Sequence, residues 1–270
     1  MLGAGWTEVV ALAAAFAIAV LATPAGISGA VLLLPFQVSV LGTPSPAVTP
    51  TNLLYNVVAT PGALYRYWRQ GQTGGGLALV LIAGTLPGVI AGSIIRVELL
   101  PSAHVFDFVV SAVLLPLGLW LVLTSPPRAA GEAPAGGEAQ TVRALPPSVL
   151  ILLAVVVGCV GGIYGIGGGS ILAPVLIGSG REPREVAPAA LASTFVTSVA
   201  GVITFLLLSF HHHGPVAPDW PTGMALGVGG LAGAYTGARI QRHLPDAVLR
   251  RVMGALVVAI GARYLWSGLG

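Results

Sequence analysis

From Thr7 to Trp266 the chain is a succession of apolar stretches whose charged residues stand almost entirely at the junctions between them. The stretches run from Thr7 to Thr23, Gly26 to Leu41, Thr49 to Tyr67, Gly76 to Ile95, Val105 to Leu123, Pro147 to Tyr164, Gly168 to Ile177, Val186 to Phe210, Pro221 to Ala238 and Val248 to Trp266. A helix needs about 20 apolar residues to cross a hydrocarbon core of about 30 Å, and several stretches meet that length. Soluble domains are about one quarter charged. Here 8% of residues are charged and 55% hydrophobic, too little charge to coat a soluble globule of 27.2 kDa. The predicted fold class is an all-α integral membrane protein with most of its outer surface facing lipid.

The polar inventory excludes several chemistries. All twelve basic residues are arginine, so the chain has no lysine for a phosphate-binding loop of the Walker type or for a Schiff base. The net charge of +3 is small, and the arginines sit at segment ends, as membrane topology requires, rather than along one basic face; no nucleic-acid partner is expected. One cysteine, Cys159, permits neither an intrachain disulfide nor a multi-cysteine metal site, and inside an apolar run it reads as a small hydrophobe. No metal, cofactor or redox chemistry is expected. The first stretch resembles the apolar region of a signal peptide but lacks a basic start and carries Glu8, so it is read as part of the mature fold.

Residues 126–146, rich in Ala, Gly, Pro and Glu, form the one clear linker and separate two repeats, 1–125 and 147–270. Gly26-Ile-Ser-Gly-Ala-Val-Leu-Leu-Leu-Pro35 matches Gly165-Ile-Gly-Gly-Gly-Ser-Ile-Leu-Ala-Pro174 with the same glycine-to-proline spacing. Val48-Thr-Pro50 then parallels Val186-Ala-Pro188, Gly88 to Gly92 parallels Gly233 to Gly237, and Leu100-Pro101 parallels Leu244-Pro245. Four matches in one order indicate an internal duplication. Gly26 to Leu41 and Gly168 to Ile177 are too short to span and follow glycine-rich breaks, the pattern of re-entrant or broken helices.

If each interrupted pair is a hairpin entering and leaving on one side, and each other long stretch crosses once, ten arginines fall on one face and only Arg96 and Arg263 on the other. The positive-inside rule makes the arginine-rich face cytoplasmic, with both termini outside and the linker inside. The halves are then inverted: two repeats, each a glycine-interrupted helical hairpin plus three transmembrane helices, eight to ten membrane segments in all.

Breaks at matching places in two inverted halves point to a transporter's central site. A helix starting inside the membrane near Gly26 or Gly167 presents unpaired amides and a positive dipole end, which suit an anion. Gly29, Gly165, Gly168 and Gly169 allow close backbone approach, and Ser28 and Ser170 add hydroxyl donors. Asn52, Asn56 and Thr60 share one helical face, as do Thr194, Thr197 and Ser198, and the repeat aligns Asn56 with Thr194 and Thr60 with Ser198. Thr49, Thr51, Tyr55 and Ser193 flank them. Each of these side chains could instead serve interhelical hydrogen bonding, and each glycine close helix packing. Glu8, His104 and Asp107 sit near segment ends, leaving no evident proton relay, and His211 to His213 read as a solvated loop.

The glycine-proline signature, present twice and each time followed by a Ser/Thr-bearing helix, resembles the sulfite exporter TauE/SafE family of membrane transporters. The resemblance rests mainly on Gly165 to Pro174; the first half departs from it at Ser28 and Ala30, where the second has glycines. It implies a carrier of sulfite, organosulfonates or a related small sulfur oxyanion, commonly outward across the bacterial inner membrane. The partners expected are that oxyanion and the lipid bilayer, with a homo-oligomer left open. An anion channel, a carrier of another small anionic metabolite and a structural subunit of a larger complex are the alternatives. An intramembrane enzyme lacks any HExxH pair or G-x-S-x-G elbow, so no enzymatic activity is expected.

Overall fold

The computed structural model describes residues 4–44, 46–100, 147–178, 181–212 and 214–240, with scattered helical positions between 111 and 119 and between 258 and 266. The linker, His104, Asp107 and all but those scattered positions of the stretches Val105 to Leu123 and Val248 to Trp266 lie outside the described residues. Among the described residues every regular element is helical. The helices are α1 Ala4–Ala22, α2 Ala30–Phe36, α3 Val48–Arg69 and α4 Gly75–Glu98 in the first half. In the second they are α5 Pro147–Tyr164, α6 Gly169–Gly178, α7 Pro183–Ser209 and α8 Trp220–Ile240. A π-helical turn, Gln37–Leu41, prolongs α2 until Gly42 ends it in the left-handed region.

By length and composition three helical spans are able to cross a membrane: Gly5–Ala22, Gly75–Glu98 and Arg184–Ser209. Ala30–Leu41 and Ser148–Tyr164 are shorter apolar helices. Large apolar side chains on α1, α4, α5 and α7, among them Val9, Leu79, Leu152 and Leu207, point outward. Asn52, Asn56, Thr85, Ser193, Thr194 and Ser198 are fully buried. Apolar outside and polar inside is the distribution lipid demands, since a polar side chain facing hydrocarbon has no water to bond.

Which helices touch is set by small residues. α4 packs on α5 and α7, α8 packs on α1 and α3, and α3 packs on α7; α2 lies on α3, and α6 on α7. Exchanging the halves helix for helix leaves this set of pairs unchanged. On α4, Gly84, Gly88 and Gly92 recur every four residues and abut Ala154, Val155 and Cys159 of α5, while Gly158 and Gly162 answer from α5 against Thr85 and Val89. On α8, Gly229, Gly233 and Gly237 recur in the same way and abut Leu12, Phe16 and Val20 of α1. Most of these contacts are with backbone atoms, so a side chain at these positions would force the helices apart.

Gly92→Val is therefore expected to destabilise the protein by about 1–3 kcal/mol or to block its assembly, because the new side chain enters the Cys159 carbonyl. Gly76→Ala, where open space surrounds the position, should be neutral or slightly stabilising. Thermal unfolding of both variants in detergent checks the contrast, and equal melting temperatures would refute the packing argument.

Candidate functional site

The site begins where two helices break. Pro24 lacks an amide hydrogen and Gly26 takes φ 73°, its N–H closing a turn onto the Thr23 carbonyl at 2.9 Å, so α1 stops and the chain turns back. After Ile27, Ser28 and Gly29 the helix resumes at Ala30. In the second half, Gly165 and Gly167 at φ 78° and 71° make the equivalent turn, and α6 begins at Gly169. The helices thus restart two to four residues later than their first glycines suggest. Each turn rests on the other half. A Cβ on Gly26 would lie 2.9 Å from Ala187 Cα, and one on Gly165 would enter the Thr49 carbonyl. Ala187 and Thr49 are the residues that precede Pro188 and Pro50 in the matched motifs.

The two breaks meet through Ser28 and Ser170. The Ser28 N–H donates to Ser170 Oγ at 3.3 Å, and Ser28 Oγ donates to Asn56 Oδ1 while accepting from the Ala30 N–H at 3.2 Å. Ser170 Oγ donates to the Ile166 carbonyl at 3.2 Å and lies 3.3 Å from Thr194 Oγ1. The Gly168 N–H donates to Thr197 Oγ1 at 3.3 Å, and Thr197 Oγ1 donates to the Ser193 carbonyl at 2.7 Å. Ser198 Oγ faces the turn at Gly167, where a Cβ would come within 3.1 Å of it. Asn56 Nδ2 and Ser198 Oγ are buried and have no hydrogen-bond partner among the described residues. Asn56 lies about 12 Å along α3 and Thr194 about 16 Å along α7 at 1.5 Å per residue, so both are well inside their helices. With Ser28 5% exposed, Ser170 1% and the others 0%, the group is buried inside the helical bundle.

Of the residues predicted for the site, Ser28, Asn56, Ser170, Thr194, Thr197 and Ser198 come together around the two turns. Gly167, Gly168 and Gly169 line one side against Thr194, Thr85 and Ala190, and Gly29 abuts the Tyr55 hydroxyl. Asn52 does something else: its Nδ2 donates to the Ala30 carbonyl at 2.9 Å and its Oδ1 accepts from Gln37 Nε2 at 3.0 Å, clamping α2 onto α3. Thr60 is buried one turn beyond Asn56 and makes no hydrogen bond to the group among the described residues. The amides of Ser28, Ala30 and Gly168, anticipated as open donors, are each held by a serine or threonine hydroxyl.

The sequence reading passed over Thr85 and took Arg96 only as a segment-end marker of one face. Thr85 of α4 is fully buried, packs on Gly168 and lies 2.8 Å from Ser193 Oγ; its signal was a hydroxyl in mid-stretch between Gly84 and Gly88. Arg96 is fully buried although it stands at the end of its stretch. Its Nε donates to Thr49 Oγ1 at 3.3 Å and its guanidinium also donates to the Leu100 carbonyl. Thr49 Oγ1 in turn donates to the Ile163 carbonyl at 3.2 Å, so this chain of bonds supports the second turn from the far end of α4. His211 is exposed, and His212 Nε2 lies 2.9 Å from Glu98 Oε1 at the surface.

Apolar helices with two broken members meeting in a buried polar core have the architecture of solute transporters. The chain matches the family model described as sulfite exporter TauE/SafE over residues 11–264. It belongs to this family of membrane transporters. It is 27% identical over 201 residues to the probable membrane transporter protein YunE of Bacillus subtilis, covering 71% of this chain and 70% of that one. To a probable membrane transporter protein of Xylella fastidiosa strain 9a5c it is 25% identical over 251 residues, 89% of this chain and 88% of the relative. The sulfite exporter TauE/SafE family protein 1 of Arabidopsis thaliana is 33% identical over 69 residues, 26% of this chain and 15% of that protein. No solved structure matches.

Asn52→Ala is expected to lower stability by about 1–3 kcal/mol, because it leaves the Gln37 side-chain amide buried without its partner and removes the bond that ties the Ala30 carbonyl to α3. A melting temperature equal to that of the parent would show that the clamp holds nothing.

Proposed function

We propose that the protein exports sulfite, an organosulfonate or a related small sulfur oxyanion by alternating access, and that the anion binds where the two broken helices meet. The observation that carries this reading is that two of the fully buried polar groups without a partner among the described residues, Asn56 Nδ2 and Ser198 Oγ, stand at the two turns, one beside Ser28 and one facing Gly167. A buried polar group without a partner is destabilising by about 1–3 kcal/mol, and a ligand oxygen would relieve both. Family membership supports a small solute as cargo, and the family's name suggests the sulfur oxyanion.

The helix pairing, unchanged on exchange of the halves, supports two repeats rocking about this point. Inverted repeats would place both termini outside a bacterial inner membrane and the linker in the cytoplasm, on the arginine-rich face. Export needs no proton relay, since each 100 mV of inside-negative potential drives one outward negative charge by about 2.3 kcal/mol. The buried core favours a carrier over a channel, whose donors would line a continuous pore.

Flux into or out of proteoliposomes containing this chain alone tests the proposal. Saturable, potential-driven movement of a sulfur oxyanion, stimulated by substrate on the opposite side, is the expected result. Ser198→Ala should weaken transport affinity by about tenfold while leaving the melting temperature unchanged or raised, because the hydroxyl it removes bonds nothing in the empty site. Full transport by this variant would argue against the site.

A further inference from the structure

We infer that the site selects the charge state of its ligand: it takes singly charged oxyanions, namely hydrogensulfite and monosulfonates, and rejects doubly charged ones of the same size. This rests on the proposed function and adds to it the chemistry of recognition. Every polar partner recorded for Ser28, Asn56, Ser170, Thr194 and Thr197 is a neutral hydroxyl, amide or carbonyl. The two groups left over, Asn56 Nδ2 and Ser198 Oγ, are neutral as well. Among the described residues the fully buried guanidinium is Arg96, and its recorded bonds go to Thr49 and Leu100 rather than to any member of the group.

A site of this kind compensates an anion through dipoles alone. The cost of taking an ion out of water rises with the square of its charge, so a dianion is about four times harder to desolvate than a monoanion. The membrane potential rises only linearly with charge and so gives the dianion just twice the drive. A dianion is therefore disfavoured in a buried pocket that supplies no cation among the described residues, while a monoanion is within reach of the donors at Asn56 Nδ2 and Ser198 Oγ. The acceptor side of the group adds a preference for hydrogensulfite in particular. Asn56 Oδ1 and the serine and threonine oxygens can receive a proton from the ligand, and hydrogensulfite carries a hydroxyl to donate where sulfite and sulfate carry none.

Sulfite changes between its two charge states near neutral pH, and methanesulfonate remains a monoanion throughout. Flux of each, with sulfate as a fixed dianion, is measured in proteoliposomes of the full chain over a series of pH values, with leak through protein-free vesicles subtracted. Sulfite flux at constant total concentration should rise as pH falls, tracking the monoanion fraction. Methanesulfonate flux should stay level, and sulfate should move at least tenfold more slowly than methanesulfonate. Sulfate carried as fast as methanesulfonate, or sulfite flux that follows the dianion, would overturn charge selection and leave the transport reading standing. Absence of flux for all three from folded, inserted protein would remove the transport reading itself, and this inference with it.

Discussion

Backbone contact across glycine holds this molecule together. In lipid, apolar side chains gain nothing by leaving their solvent for one another, so helices associate through close packing and the weak Cα–H···O contacts that close approach allows, each worth about 0.5–1 kcal/mol. The glycines at four-residue spacing on α4 and α8 provide two such seams. Each seam binds the first arm of a broken helix to the opposite half: α5 to α4 and α1 to α8. The breaks are thereby fixed in place, and the Ser28–Ser170 contact follows from where the seams put them.

Within that frame the core is built from side chains that can reverse their hydrogen-bonding roles. A hydroxyl donates or accepts as its surroundings require. Ser170 Oγ takes the Ser28 amide and gives to the Ile166 carbonyl, and Thr197 Oγ1 takes the Gly168 amide and gives to Ser193. These hydroxyls cap the amides that the breaks in the two helices would otherwise leave bare, so the core is nearly satisfied by its own side chains.

The breaks and the seams were legible in the sequence. Gly26, Gly165 and Gly167 stand out because glycine next to an apolar run is the residue that can turn left-handed there, and Gly88 to Gly92 against Gly233 to Gly237 is a spacing only close helix contact requires. The polar faces of α3 and α7 were legible for the same periodic reason. What periodicity does not encode is the partner across space. Asn52 and Asn56 share a face, yet one meets α2 end-on and clamps it while the other keeps a free amide at the turn, a difference set by where Ala30 and Gln37 come to lie. Thr85 joins the group because α4 passes beside Gly168, and Arg96 is buried because Thr49 and Leu100 accept its protons. Neither relation has a local signature.

The seam between α1 and α8 also orders events during synthesis. Helix α1 packs through Leu12 and Phe16 against Gly229 and Gly233, which are translated more than two hundred residues later. At roughly 5–20 residues per second, that delay is on the order of ten seconds or more. During this interval the α8-facing side of α1 lacks its final partner. The N-terminal half therefore cannot reach its final form as an independent unit, and the bundle closes only once α8 has been made.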